Sequence, residues 1–340
     1  MSTAAMNRDD AKSGARTVNI RDALNAALAD AMEENAKVLV LGEDVGDKEE
    51  GGILGVTQGL STRFGDERVR STPITEQAII GAAIGASLRG YRPVAEIMLM
   101  NFMTVAMDMV VNHAAKLRYM SGGQTNVPIV IRTMTGSGFA NGGQHSDYVE
   151  GWFAHTAGLK VVCPSSPADA YGLMRSAIDD EDPVIVVENL LSYYLTGPAA
   201  EPGTRTPIGK GNILKAGTDV TIVTYARMVQ ESMAAAAELE KQGISAEVID
   251  LRSIQPWDRE LVLESVARTG RALVVHEAVL PFGPAGEISS VIHEELFGKL
   301  KGPVQRIGGA FCAVPFSKPL ETAFAPRAEV IFERVKAMVG

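Results

Sequence analysis

The stretch RVRSTPITEQAIIGAAIGAS, residues 68–87, joins a short strand pattern to a helix of small and apolar residues. RVRST predicts the strand, and the segment after Glu76 carries no charge as far as Ser87. Glu76 stands at the head of this helix, where the positive end of the helix dipole favours a carboxylate. An acid at the mouth of an apolar segment is also placed to move a proton, so Glu76 is a candidate for chemistry as well as for helix stabilisation.

Strand and helix patterns alternate on both sides of this unit, from residue 17 to about 190. Helices are predicted at residues 21–35, 101–120 and 167–179, and short apolar strands at KVLVLG, YRPVAEIM, VPIVIRT, LKVVCP and PVIVVEN. Continuous apolar strands of this length, separated by helices, indicate a parallel sheet that is covered on both faces.

A second region of the same class follows a stretch rich in glycine and proline, LTGPAAEPGTRTPIGKG at residues 195–211. Such residues are typical of a linker. Beyond it, the strand patterns DVTIVTY, SAEVIDL and RALVVHEA again alternate with helical patterns. The sequence therefore predicts an α/β protein with two parallel-sheet domains. The expected division is a disordered tail at 1–16, a first domain at 17–194, the linker, and a second domain at 212–340.

Composition excludes several classes of partner. The formal net charge of -9 and the lack of a basic run argue against nucleic acid. The most apolar stretch, residues 94–111, contains Glu96, Asn101 and Asp108, which a membrane span rarely tolerates unpaired. The N-terminal residues contain no apolar segment of a secretory signal, and the two cysteines form no disulfide framework. These features predict a cytoplasmic protein without a membrane partner.

Several common catalytic motifs are absent from the sequence, including the P-loop, the dinucleotide-binding glycine pattern, H-E-x-x-H and G-x-S-x-G. What remains is a set of acids at predicted strand ends, where open α/β sheets bind ligands. These acids are Glu43, Asp44 and Glu76, of which we interpret Asp44 as a turn acid. Asp108 lies inside an apolar helix pattern and is equally well explained as a solvated or paired residue.

Two further residues are candidates with ordinary alternatives. His145 lies in the glycine-flanked loop GGQHSDY after a predicted strand. Histidine is a common general acid or base in enzymes, although most loop histidines have no catalytic role. Phe102 is either a core residue or a ring that stacks on a flat ligand, and its context alone favours the core.

The motifs LGEDVG, GGILGVTQGL, RVRSTPITEQAIIGAAIGAS, RYMSGG, GGQHSD, GLKVVCPSSPADAYGL and DPVIVVEN, in this order, resemble one family. It is the β subunit of the thiamine-diphosphate-dependent component of the pyruvate, branched-chain 2-oxo-acid and acetoin dehydrogenase complexes. The resemblance runs from about residue 17 to the C-terminus and includes EVIDLRSIQPWD in the second domain. It implies a pyrimidine-binding first domain and a second domain like the C-terminal domain of transketolase.

The resemblance also implies a site for thiamine diphosphate. The glutamate of the family's T-P-[IL]-[ST]-E motif, here Glu76, meets ring nitrogen N1′ of the aminopyrimidine. Phe102 falls where the family places an aromatic ring against that heterocycle. Glu43 and Asp108 match acids proposed as a proton relay in some members. His145 matches a histidine that assists acyl transfer to a lipoyl group.

Two implications concern metal ions. Asp180 and Asp182 match a loop that holds a structural potassium ion in some relatives, although Asn is usual at the second position. The G-D-G motif that holds the diphosphate through Mg²⁺ is absent from this chain, and the family places it on a separate α subunit. The chain is therefore expected to supply half of a cofactor site within an α2β2 heterotetramer.

The activity implied is oxidative decarboxylation of a 2-oxo acid such as pyruvate, or cleavage of acetoin. The acyl unit would pass to a lipoyl-bearing acyltransferase core. Two alternatives stay open, namely an acyloin-forming or transketolase-like subunit that uses the same cofactor, and a non-catalytic assembly subunit. The joint presence of Glu76, Phe102 and His145 argues against the second alternative.

Overall fold

Seven strands, six of them from the first half of the chain, form the larger sheet of the computed structural model, which describes residues 16–340. All of the predicted tail except Arg16 therefore lies outside the described residues. In chain order, all the strands of the described residues are β1 (Thr17–Asn19), β2 (Val38–Glu43), β3 (Val69–Thr72), β4 (Arg92–Leu99), β5 (Val130–Thr135), β6 (Lys160–Val162), β7 (Val184–Asn189), β8 (Thr196–Pro198), β9 (Asn212–Lys215), β10 (Val220–Thr224), β11 (Ala246–Asp250), β12 (Ser253–Gln255), β13 (Ala272–Val279) and β14 (Gln305–Gly309).

Helices connect most of these strands. They are α1 (Ile20–Glu34), α2 (Leu60–Phe64), α3 (Glu76–Ser87), α4 (Leu117–Met120), α5 (Glu150–Ala154), α6 (Pro167–Asp179), α7 (Met228–Glu240), α8 (Arg259–Thr269), α9 (Ala285–Leu296), α10 (Lys318–Phe324) and α11 (Ala328–Val339). The two long helices predicted at 21–35 and 167–179 are confirmed as α1 and α6. Each begins after a side chain that caps it, because Asn19 and Ser166 accept hydrogen bonds from the backbone N–H of Asp22 and Asp169.

The first sheet has the strand order β12-β6-β7-β5-β4-β2-β3, and its neighbouring strands are parallel except for β12 with β6. Alternate residues of β7 pack into two different hydrophobic clusters. Val184 and Val186 join the cluster that contains α1 and α6, while Ile185 and Val187 join the cluster that contains α3. Both faces of the sheet are thus covered, which is why a central strand such as β7 contains a continuous apolar run.

The second sheet has the order β14-β13-β10-β11-β9, and its neighbouring strands are parallel except for β9 with β11. The predicted fold class, two parallel-sheet α/β domains, is confirmed. Two short strands were not predicted at the boundary between them. Residues 196–198 of the predicted linker form β8, which pairs antiparallel with β1. Residues 253–255 form β12, which lies in the second half of the chain but pairs with β6 of the first sheet.

The single helix predicted at residues 101–120 is wrong. The chain forms a 3-10 helix at Met100–Thr104, a π-helical turn at Met109–Ala114 and then the short α4. The buried residues explain the change, since Met100, Met103 and Ala106 are three residues apart, whereas Ala106, Val110 and Ala114 are four apart. The first spacing suits a 3-10 helix and the second suits a wider turn.

No helix within residues 16–340 combines the length and the apolar composition needed to cross a membrane.

Candidate active site

Four neighbouring parallel strands of the first sheet each deliver one predicted site residue at or beyond the carboxyl end. In the order β3, β2, β4 and β5 across the sheet, these residues are Glu76, Glu43, Phe102 and His145. Adjacent strands lie about 4.8 Å apart. Residues that are far apart in the sequence are therefore brought to one edge, the edge at which open α/β sheets bind ligands.

Glu43 and Glu76 form a pair of buried acids. Glu43 is the last residue of β2 and is 7% exposed, and Glu76 opens α3 and is 8% exposed. Burial raises the pKa of the Glu43 carboxyl, and the negative charges of Glu76 and Asp44 raise it further, while a hydrogen bond from the Thr75 N–H opposes the rise. Oε1 of Glu43 is buried without a hydrogen-bond partner in the described chain. This carboxyl therefore keeps a proton at higher pH than an ordinary glutamate, and it has an unused bonding position.

Phe102 and His145 lie in contact. Phe102 is in the 3-10 helix after β4 and is half-buried between two hydrophobic clusters. The His145 ring packs edge-on against it, with ring centroids 5.5 Å apart and an interplanar angle of 76°. The neighbouring Asn101 ties down the same loop, because its amide donates hydrogen bonds to the Gly143 carbonyl (2.9 Å) and the Asp147 carboxylate (3.0 Å). Nδ1 of His145 is buried and has no partner within residues 16–340.

These side chains fit a flat, nitrogen-bearing ring such as the aminopyrimidine that the resemblance implies. A buried polar atom without a partner costs about 1–3 kcal/mol, so such atoms are rare and call for an explanation. Glu43 Oε1 and His145 Nδ1 are two of them. A ring with donor and acceptor nitrogens would satisfy an acid of this kind, and an aromatic side chain such as Phe102 can pack against the face of such a ring.

Asp108 is not buried with these residues. Its side chain is 55% exposed, accepts a hydrogen bond from Asn112 at 2.8 Å and lies 3.5 Å from the ring nitrogen Nε2 of His113. Asp108 is thus both solvated and paired, as the ordinary alternative in the sequence analysis supposes. A role for Asp108 in a proton relay stays a prediction. Asp44 is exposed and has the left-handed φ of 57°, which agrees with its interpretation as a turn acid.

Asp180 and Asp182 already have cationic partners. The Lys160 ammonium donates to both carboxylate oxygens of Asp180 at 2.7 Å and lies 3.5 Å from Asp182. Arg118 pairs with Asp182 at 2.6 Å, and Arg92 donates to the Asp180 carbonyl at 2.9 Å. The described residues contain no group of three or more His, Cys, Asp and Glu side chains that could hold a metal ion. Both carboxylates are thus paired with cationic side chains of this chain, and a potassium ion at this loop stays a prediction.

A buried charged network beside the site was missed by the sequence analysis. Arg132, 1% exposed, forms salt bridges with Glu96 at 2.5 Å and with Glu188 at 2.8 Å, and Glu188 also accepts a hydrogen bond from Tyr193. The sequence does contain a trace of this network, because β4, β5 and β7 each have one charged residue near the middle or the end. These residues are Glu96, Arg132 and Glu188. Glu96 and Arg132 are direct cross-strand partners. The network holds three of the site's strands together by charge as well as by backbone pairing.

Two families match the chain. The transketolase pyrimidine-binding domain matches residues 16–194, and the transketolase C-terminal domain matches residues 209–331.

Several named proteins are similar to this chain over nearly its whole length. The β subunit of acetoin:2,6-dichlorophenolindophenol oxidoreductase from Cupriavidus necator is 45% identical, with 93% of this chain and 96% of that protein covered. Subunit β-1 of the mitochondrial pyruvate dehydrogenase E1 component from Arabidopsis thaliana is 43% identical, with coverage of 95% and 90%. The β subunit of 2-oxoisovalerate dehydrogenase from Bacillus subtilis is 40% identical, with coverage of 89% and 93%.

Among solved structures, the fold is similar to that of a split-gene transketolase in an inactive β4 tetramer. The TM-score is 0.76 at 24% identity, and the match covers 95% of this chain and 98% of that one. At this identity the likeness concerns the fold alone.

Proposed function

Because this chain belongs to the family of β subunits of the thiamine-diphosphate-dependent 2-oxo-acid and acetoin dehydrogenases, we propose that it supplies the pyrimidine-binding half of a thiamine diphosphate site. An α subunit would supply the other half and the Mg²⁺ ligands in an α2β2 heterotetramer, since this sequence contains no G-D-G motif. The observation that carries the proposal is the row of Glu76, Glu43, Phe102 and His145 at four neighbouring strand ends.

The acid pair would control a proton at the aminopyrimidine ring. When bound, thiamine diphosphate supplies a nucleophilic carbon and an electron sink for cleavage next to a carbonyl. We assign to Glu76 the hydrogen bond to ring nitrogen N1′, a role that suits a buried carboxyl at the first turn of α3. Glu43 would keep a proton beside it, because burial and the Glu76 charge raise the Glu43 pKa.

Phe102 and His145 would act on the other side of the site. The Phe102 ring would hold the heterocycle by aromatic contact, and its own position is fixed by the two clusters on which it packs. His145 has a ring nitrogen without a partner in the described chain, so it is free to exchange a proton with the reacting group. In the reaction we propose, this proton transfer assists passage of the acyl unit to a lipoyl group.

The substrate is proposed to be pyruvate or another small 2-oxo acid, or acetoin, and the acyl acceptor a lipoyl-bearing acyltransferase core. The relatives named for acetoin, pyruvate and 2-oxoisovalerate are 45%, 43% and 40% identical to this chain, so all three kinds of substrate enter the test. A hydrophobic pocket distinguishes substrates that differ by a methylene group by only about 1–3 kcal/mol, so one complex can turn over more than one of them. The comparisons do not favour the acyloin-forming, transketolase-like or non-catalytic alternatives.

The test uses the chain co-expressed with its α subunit, in the presence of thiamine diphosphate and Mg²⁺. Reduction of an artificial electron-accepting dye is followed with pyruvate, acetoin, 2-oxobutanoate and 3-methyl-2-oxobutanoate. We expect saturable reduction with at least one of these substrates and none when the α subunit is omitted. A well-assembled complex that binds the cofactor and reduces no dye with any of them would contradict the proposal. Analysis of its products for acyloins would then decide between the alternatives.

A further inference from the structure

The loop that carries His145 is held in place by the second half of the chain. We call residues 136–149, between β5 and α5, the histidine loop. Its first residues are fixed by Glu277 of β13, which is 3% exposed. The Glu277 carboxylate accepts hydrogen bonds from the backbone N–H of Ser137 at 2.8 Å and from the Ser137 hydroxyl at 2.7 Å. The same carboxylate accepts a bond from Asn189 at 3.1 Å, so it also connects the loop to the end of β7.

A second carboxylate holds the middle of the histidine loop. Glu321 of α10 is 3% exposed, and one of its oxygens accepts hydrogen bonds from the backbone N–H groups of Gly138 at 2.6 Å and Ala140 at 3.0 Å. Its other oxygen lies 3.1 Å from the Ala140 nitrogen. Hydrogen bonds from backbone N–H groups to a charged acceptor are about twice as strong as neutral ones. Glu321 therefore fixes the backbone of the loop five residues before His145.

The segment just before α10 packs on the turn that leads into His145. A Cβ placed on Gly142 would lie 2.3 Å from the ring of Phe316, and one placed on Gly143 would lie 2.9 Å from the Ala313 methyl group. The His145 N–H donates to the Gly142 carbonyl at 3.2 Å, so the position of this turn sets the position of the histidine backbone. Residues 313–321 thus contact the histidine loop at two separate places.

The histidine loop cannot set its own shape. It contains four glycines, namely Gly136, Gly138, Gly142 and Gly143. Glycine has the widest choice of backbone conformations, and the loop contains no helix or strand of its own. Its buried N–H groups need acceptors, and those of Ser137, Gly138 and Ala140 find them on residues that are 140 to 183 positions away in the sequence.

We propose that Glu321 is a positioning residue for His145, so that the second domain of the chain takes part in the reaction by shaping the histidine loop. This inference rests on the role proposed above for His145 in acyl transfer. Glu321 touches neither substrate nor cofactor. It acts through the backbone of Gly138 and Ala140, whose hydrogen bonds to the carboxylate set the path of the chain towards the histidine.

The test is a double-mutant cycle in the assembled α2β2 complex, with acyl transfer to a lipoyl domain as the assay. The variants are Glu321→Ala, His145→Asn and the double variant, with Glu329→Gln as a matched control because Glu329 is 77% exposed on the next helix. A displacement of about 1 Å in a catalytic group can lower a rate by about 10²-fold. We expect Glu321→Ala to lower kcat by up to about that factor, with KM nearly unchanged.

The coupling between Glu321→Ala and His145→Asn distinguishes a role in positioning His145 from a general effect of Glu321 on the structure. If Glu321 acts through His145, Glu321→Ala lowers kcat little further in the His145→Asn background, because the group being positioned is already gone. Glu321→Gln keeps an acceptor oxygen for the two N–H groups and should restore most of the activity. An equal loss of kcat in both backgrounds, or no loss in Glu321→Ala, would overturn the proposal.

A variant that does not assemble with the α subunit can be distinguished from a failure of the proposed function. Should Glu321→Ala not assemble, Glu321→Asp replaces it in the cycle, since the shorter side chain keeps the charge but withdraws it from the loop, and the same coupling is expected. If His145→Asn transfers acyl groups at the wild-type rate, the role of Glu321 falls together with that of His145. Dye reduction by the wild-type complex would then still show whether the dehydrogenase activity itself stands.

Discussion

Replacement of the buried acid Glu150 by glutamine should flatten the pH dependence of stability. Glu150 opens α5, is fully buried, and accepts a hydrogen bond of 2.6 Å from the Tyr225 hydroxyl in the second half of the chain. Its other oxygen, Oε2, has no partner within residues 16–340. Burial raises the pKa of Glu150 from 4.5 to about 7, and the Tyr225 hydrogen bond only partly opposes this.

The raised pKa of Glu150 determines whether stability rises or falls with pH. The folded state binds the Glu150 proton more tightly than the unfolded chain does, so the contribution to stability is complete below about pH 4.5 and is lost as the pH rises through about 7. A rise of this size corresponds to on the order of 3 kcal/mol, with a slope of at most about 1.4 kcal/mol per pH unit. Asp250, whose pKa burial likewise raises to about 7, adds a second loss in the same range.

The Glu150→Gln substitution removes only the pH dependence that Glu150 contributes and leaves that of Asp250 in place. The amide oxygen of the glutamine can still accept the Tyr225 hydrogen bond, while its NH₂ group takes the place of the unpaired oxygen at a cost of about 1–3 kcal/mol that does not vary with pH. The free energy of unfolding is measured by equilibrium urea denaturation at several values between about pH 5 and pH 8. We expect the variant to be less stable at the acid end and to lose less stability towards the alkaline end. Parallel curves for the two proteins would refute the reasoning.

Three further outcomes are expected. Arg132→Met should lower the free energy of unfolding by about 3–5 kcal/mol in urea titrations, because it leaves two buried carboxylates unpaired, and an unchanged midpoint would contradict this. Gly142→Ala should lower turnover, because its Cβ would lie 2.3 Å from the Phe316 ring at a φ of 73°. Adding Phe316→Ala should restore part of that turnover, and failure to do so would show that the contact is not responsible. Asp108→Asn should lower turnover less than Glu43→Gln does, because Asp108 is exposed and Glu43 is buried, and the reverse order would support the predicted relay.

The strands that build the site could be predicted because burial leaves a direct trace in the sequence. β5 and β7 are buried along their whole length, and an apolar run marks each of them in the sequence, at residues 127–131 and 183–187. Glu43 and Glu76 could be selected because they interrupt apolar segments just where a strand ends or a helix begins. The roles proposed for them, and the choice of Phe102 and His145, come from the family resemblance, since a catalytic histidine or a ligand-stacking phenylalanine cannot be told from an ordinary one in the sequence.

The contacts between the two halves of the chain could not be predicted. β12 has only three residues, and its partner β6 lies about 90 residues earlier, so no local pattern marks the pairing. Glu321 is an ordinary polar position on a short helix until the fold places it against Gly138. The broken helix around Asp108 had a related cause, since its turns follow the spacing of buried neighbours instead of the intrinsic preference of the sequence.

The most direct test of whether Glu76 serves the cofactor is the turnover of the Glu76→Gln variant in the assembled complex. Glu67→Gln is the control, because Glu67 is an exposed glutamate just before β3, the strand that precedes Glu76. Both complexes are first shown to be intact and to bind thiamine diphosphate. We expect Glu76→Gln to lose about 10²-fold or more in kcat, because a group that transfers a proton is removed, while Glu67→Gln keeps the wild-type rate. Equal turnover in the two variants would contradict the claim that Glu76 serves the cofactor.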